Sequence, residues 1–146
     1  RVLFRSRKQT TMSCKQNLEW YVFVKHTPAE VYNMLMDSDA HTKMTGAKAV
    51  IENKEGGKFT AWGGYINGIT TKLIKDKKIV QQWRGTNWVK VHGVADDHFS
   101  TVTYELSVAK DNKKHTLIHF TQTNAPDNWV NGWQDHYWSK MVQVTE

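Results

Sequence analysis

The chain has 146 residues, 39% hydrophobic and 23% charged, with a formal net charge of +6. That length suits one globular domain with a core of its own, and the single cysteine, Cys14, excludes a disulfide scaffold or a cysteine-built zinc site. Arg1, Arg5, Arg7 and Lys8 supply four of the +6 charges, leaving +2 for the remainder, so the basicity makes no case for nucleic acid. No apolar stretch approaches the ~20 residues of a membrane span. The first residues lack the apolar run of a signal peptide, and the cysteine usage points to a reducing cytoplasm.

Residues 1–12 are expected to be a disordered or vector-like leader, and 13–146 a single domain. In 13–25, Leu18, Trp20, Val22 and Val24 alternate with more polar neighbours, the period of a half-buried strand. Thr27-Pro28-Ala29-Glu30 then reads as a capped helix start, with Val31, Met34 and Leu35 as its apolar stripe. Ser38 is expected to cap a second short helix ending near Gly46. Strands follow over Ala47–Glu52, Lys58–Trp62, Tyr65–Ile74 and Lys78–Arg84, punctuated by Glu55-Gly56-Gly57, Gly63-Gly64 and Lys75-Asp76-Lys77. Asn67-Gly68 inside the third of these reads as a bulge.

Residues 85–99 read as a long loop. Ser100–Ala109 is a strand with Val102, Tyr104, Leu106 and Val108 on one face, and His115–Thr123 is another. In the last segment Val130, Trp133, Tyr137, Met141 and Val144 recur at helical spacing, widened by Trp129 and Trp138, which predicts an amphipathic helix of about four turns. Strands joined by short turns imply an antiparallel sheet. One sheet face needs covering, and only the terminal helix is long enough. The expectation is therefore α+β: a curved antiparallel sheet of six or seven strands wrapped around a long C-terminal helix, with two short helices after the first strand.

Several stretches, in order, resemble the activator of heat-shock protein 90 ATPase homologue family, a branch of the START-like and birch-allergen-like helix-grip superfamily. They are Thr27–Tyr32, Gly56-Gly57-Lys58-Phe59, Lys78–Arg84, His98–Thr103, Phe120–Thr123 and Gly132-Trp133. The chain looks most like the small single-domain bacterial members, and the stretch Val89–Asp97 has no counterpart. The resemblance implies a cytoplasmic, stress-associated protein. It also implies a chaperone partner, although the chain is too short for the separate N-terminal domain through which the eukaryotic co-chaperone makes much of its contact.

Seven Trp, five Tyr and five Phe form a heavy aromatic load. Trp62, Tyr65, Trp83, Trp88, Tyr104, Phe120, Trp133, Tyr137 and Met141 are expected on elements that face one another, as the walls of a cavity for a small apolar or amphipathic ligand. Plain core filling is the alternative, and the two are compatible. His115 and His119 stand about 13 Å apart on a strand, too far to share a metal ion. His92 and His98, with Asp96 and Asp97, fit no known ligand spacing. His119, Gln122, Tyr104 and Arg84 are the polar residues an enzyme on this fold would use, but no nucleophile elbow or phosphate loop accompanies them. The expectation is a binding module without catalysis, cofactor or metal. Its partners would be a small apolar ligand or a chaperone, with no nucleic acid, as a monomer or homodimer. A cyclase- or hydrolase-like enzyme on a hydrophobic substrate is the weaker alternative.

Overall fold

The computed structural model describes residues 2–8 and 15–143. Lys15–Val24 forms strand β2, and its alternation is realised: Gln16, Leu18, Trp20, Val22 and Val24 point inward. Helix α1 (Pro28–Met36) starts on the capping box, with the Glu30 amide donating to Thr27 Oγ1 and the Thr27 amide donating to the Glu30 carboxylate. Helix α2 (Ser38–Thr45) ends at Gly46, whose φ of 81° is the left-handed C-cap conformation. Its N-cap is Asp37 rather than Ser38. The Asp37 carboxylate accepts from the Ala40 amide, which frees Ser38 Oγ to accept from the Ile51 amide at 2.8 Å and tie the helix to the next strand.

The sheet continues through β3 (Val50–Ile51), β4 (Lys58–Ala61), β5 (Ile66–Ile74), β6 (Lys78–Gly85), β7 (Ser100–Val108) and β8 (Thr116–Pro126). A further strand, β1 (Val2–Lys8), pairs antiparallel with β2 in the segment expected to be a leader; the rest of that segment lies outside the described residues. The order is β1-β2-β8-β7-β6-β5-β4-β3, antiparallel at every step. Seven strands fall within 13–146, matching the expected six or seven, and β1 makes an eighth.

Asn67 and Gly68 pair in register with Arg84 and Trp83, and the irregularity falls instead between Thr70 and Lys72. Glycine is needed at 68 for space: a Cβ there would overlap the Gln82 carbonyl and crowd the Phe59 ring. The 85–99 stretch holds a short helix, α3 (Trp88–His92), that buries Trp88. Val108 turns outward at the fraying end of β7 and is exposed.

The terminal helix starts later than its periodicity predicts. Residues 129–132 are not helical; a π-helical turn runs over Gln134–Trp138, followed by α4 (Ser139–Gln143). Side chains hold the segment ahead of it. Gln16 Nε2 donates to the carbonyls of both Pro126 and Trp129 at 2.7 Å. The Trp133 amide donates to Asn131 Oδ1. Val130 is therefore off the stripe and 89% exposed. Trp133, Tyr137 and Met141 remain the buried stripe, with Trp129 and Trp138 beside it. Val144 lies outside the described residues.

A cleft at the aromatic end of the groove

The space between sheet and helix is filled by rings. Trp133 touches Phe120 at 4.5 Å and Tyr137 at 4.8 Å, Trp83 meets Trp88, Trp129 and Trp133, and Trp138 packs on Trp20 and Phe120. Beneath them runs a buried polar chain. Trp133 Nε1 donates to Gln122 Oε1 at 2.8 Å, Gln122 Nε2 donates to Ser100 Oγ at 2.9 Å, and Ser100 Oγ donates to the Trp83 carbonyl at 2.7 Å. Each link pairs a buried donor with an acceptor, which offsets the cost of burying these groups and joins the helix to β6, β7 and β8.

At one end the rings part into a half-open cleft of about 450 Å³. Five of the nine expected residues line it: Trp62, Tyr65, Trp83, Trp133 and Tyr137. Trp88, Tyr104, Phe120 and Met141 do not, because each is packed on all sides in the core. The sequence reading missed the rim, which adds Ile66, Val130, Asn131, Gly132, Asp135 and His136, with Trp129 deeper. Val130, Asn131 and Gly132 owe their place to loop conformation, and Asp135 and His136 to the π turn, neither of which periodicity encodes.

Two backbone irregularities bracket the cleft. Trp62 has φ of 54°, left-handed and costly for a bulky side chain, in the 3₁₀ turn Trp62–Gly64 that follows β4. Opposite, the π turn carries Asp135, His136 and Tyr137. The two meet where Trp62 lies 4.5 Å from His136. Gly132 permits that contact, since a Cβ there would overlap the His136 ring. Both features are unfavourable in isolation, and such features concentrate at binding sites.

Behind the cleft, Tyr137 donates its hydroxyl proton to His41 Nε2 at 2.9 Å, and His41 Nδ1 donates to the Leu35 carbonyl at 3.3 Å, the tautomer that satisfies both contacts. Burial pushes the Tyr137 hydroxyl well above its ordinary range and holds the His41 imidazole below its own. The pair is neutral at neutral pH. The Trp62 indole N–H is buried without a hydrogen-bond partner and lies close enough to the Tyr137 hydroxyl to oppose part of its rise.

The four polar candidates do not converge. His119 lies on the outer sheet face, stacked on Tyr21 at 4.4 Å between the carboxylates of Glu19 and Glu105. Gln122 points inward. Tyr104 is buried, with its hydroxyl pKa raised by desolvation. Arg84 donates to Asn67 Oδ1 and the Asp96 carbonyl while stacked over Phe99. Among the described residues no three His, Cys, Asp or Glu side chains group as metal ligands, and no helix is long and apolar enough to cross a membrane.

Comparison with known proteins gives a consistent answer. A heat-shock protein 90 ATPase activator homologue from Dictyostelium discoideum is 35% identical over 128 residues, covering 86% of this chain and 30% of its own length. The Homo sapiens homologue 1 is 28% identical, covering 81% and 33%. The chain thus spans about a third of the length of these relatives. The crystal structure of an HSP90 activator from Plasmodium falciparum superposes with a TM-score of 0.66 at 26% identity, over 87% of this chain and 84% of that one. The Aha1 dimer from Colwellia psychrerythraea, at 17% identity, 88% and 89% coverage and a TM-score of 0.58, shares the fold. The family model described as activator of Hsp90 ATPase homolog 1-like protein matches residues 25–146, and the chain belongs to that family.

Proposed function

We propose that this chain is a non-catalytic interaction module that docks on a chaperone of the heat-shock protein 90 type through the cleft and its apolar rim. The observation that carries this reading is the rim. Val130 is 89% exposed, and Val91 and Val89 are 58% and 40% exposed on α3. The two segments are joined by the His92 Nδ1–Asn128 Oδ1 hydrogen bond and by Trp88 against Trp129. Val130 lies at the cleft itself, and exposed aliphatic side chains there and on the adjoining α3 support a protein contact. The packing of rings between sheet and helix supports the same reading. The partner class is proposed from what the relatives are called. The test is calorimetric titration of the chain into purified heat-shock protein 90, with ATP hydrolysis followed in parallel. Binding in about the micromolar range is expected, weakened at least about tenfold by Val130→Asp with Tm unchanged. No heat of binding at concentrations well above that range overturns it.

A second reading has its own support. The cleft volume of about 450 Å³ falls in the range of small-molecule sites, roughly 300–1,000 Å³. A small apolar or amphipathic ligand would sit against Trp62 and Tyr65. Native mass spectrometry of the purified protein would then show a stoichiometric adduct, and its repeated absence would remove this reading.

A further inference from the structure

The lining of the cleft has an unusual charge and ring balance. Six aromatic rings contribute to it, but only two aliphatic side chains, Ile66 and Val130. Asp135 is the one acidic side chain in the lining, and no lysine or arginine joins it. Among the described residues the Asp135 carboxylate makes no ion pair and accepts no hydrogen bond; only its backbone carbonyl is engaged, by Ser139. A site for neutral alkyl chains is walled by aliphatic groups. Aromatic faces carry negative potential and attract cations, and a carboxylate at the mouth adds a full charge of the same sign.

The kind of cation follows from the polar groups. A primary ammonium entering the cleft would give up three hydrogen bonds to water and need acceptors in exchange. Asp135 is the one free charged acceptor in the lining, and the Asn131 side-chain oxygen already accepts from the Trp133 amide, so three N–H groups would not all be met by side chains on one side of the cleft. A quaternary ammonium has no N–H to satisfy, spreads its charge over alkyl groups and loses least on desolvation. The inner end of the cleft is closed by buried Trp83 and Trp133, so it suits a whole small molecule.

We propose that the cleft binds a small free organic cation bearing a quaternary ammonium group, with its alkyl groups against Trp62 and Tyr65 and its charge facing Asp135. This rests on the ligand-binding reading of the cleft and names the ligand class. Choline is the probe, and neohexanol, in which carbon replaces the nitrogen, is the neutral isostere. Binding is followed through the tryptophan indole N–H signals in NMR. Choline is expected to shift the Trp62 and Trp129 signals and to bind at least about tenfold more tightly than neohexanol. Asp135→Asn, at an exposed position, is expected to remove most of that advantage with no change in Tm. Equal binding of both probes overturns the cation assignment while leaving an apolar site. Binding of neither overturns both. Tighter binding of an acetylated, amidated trimethyl-lysine than of choline assigns the cleft to a partner's side chain and overturns the free ligand.

Discussion

Gln122 is the residue on which the joint between helix and sheet depends. Its side chain accepts from Trp133 and donates to Ser100, and it is fully buried. Gln122→Met preserves the volume but orphans the Trp133 indole N–H and the chain behind it. The expected loss is about 2 kcal/mol, since a buried unmet donor costs roughly 1–3 kcal/mol. Urea unfolding measures it, and Trp133→Phe in the Gln122→Met background is expected to add less than it does alone, because the N–H it removes has already lost its partner. His41 gives a second test, in pH. Its folded-state pKa lies below the ordinary 6.5 because burial disfavours the imidazolium. The unfolded chain therefore binds the proton first. Stability is complete above the unfolded value and is lost as pH falls below it toward the folded value. Thermal unfolding from about pH 7.5 to about pH 5 is expected to show this loss, and His41→Phe to flatten it; an equal slope in the two proteins contradicts the assignment. Neither role was legible in the sequence. Residue types are visible there, but the partners lie 96 residues away for His41 and across the core for Gln122.

At the scale of elements, the parts legible in the sequence are those governed by local rules. The capping box at Thr27 and Glu30, the inward face of β2 and the buried run Trp133, Tyr137 and Met141 all formed as periodicity and capping chemistry require. What failed was the first turn of the terminal helix, a segment held by contacts distant in sequence: Gln16 donates to the Pro126 and Trp129 carbonyls. The π turn was illegible for a related reason. Spacings of three and four suit an α-helix and a single inserted residue equally well. That ambiguity makes the turn testable. Gln134 is exposed within it. Deleting Gln134 is expected to restore α-helical geometry with both flanks held by their tryptophans, and so to change stability by less than about 1 kcal/mol. The same deletion repositions Asp135 and His136 and is expected to abolish ligand-induced shifts in the cleft. An unfolded product would show that the turn serves the fold rather than the site.

For the whole molecule, the groove and the grip were readable in the sequence, whereas how far rings fill the groove was not. Short turns forecast the pairing of β4 with β5, β5 with β6 and β7 with β8, whereas β6 and β7 pair across the long 86–99 connection and the pairing of β2 with β8 closes the sheet across most of the chain with no local signal. The aromatic load was compatible with both a cavity and core filling: buried tryptophans pack much of the groove and a cleft opens at one end, and burying one large ring, about 200 Å², contributes about 5 kcal/mol that an empty chamber forgoes. At the edge, Arg1, Arg5, Arg7 and Lys8 with no acid among them read as a solvated leader. In the sheet, Val2–Lys8 covers the whole register from Lys8↔Gln16 to Val2↔Val22, so β2 is an interior strand. Removing residues 1–8 would leave β2 as an exposed edge with its outer row of amides and carbonyls unpaired, a template for pairing with another chain. The truncated protein is therefore expected to melt at least about 3 °C lower, the equivalent of roughly 1 kcal/mol for a domain of this size. It is also expected to self-associate at concentrations where the full chain does not, as read by light scattering. A leader with no place in the sheet would leave both measurements unchanged, so the same Tm and the same mass in the two proteins would remove β1 from the fold.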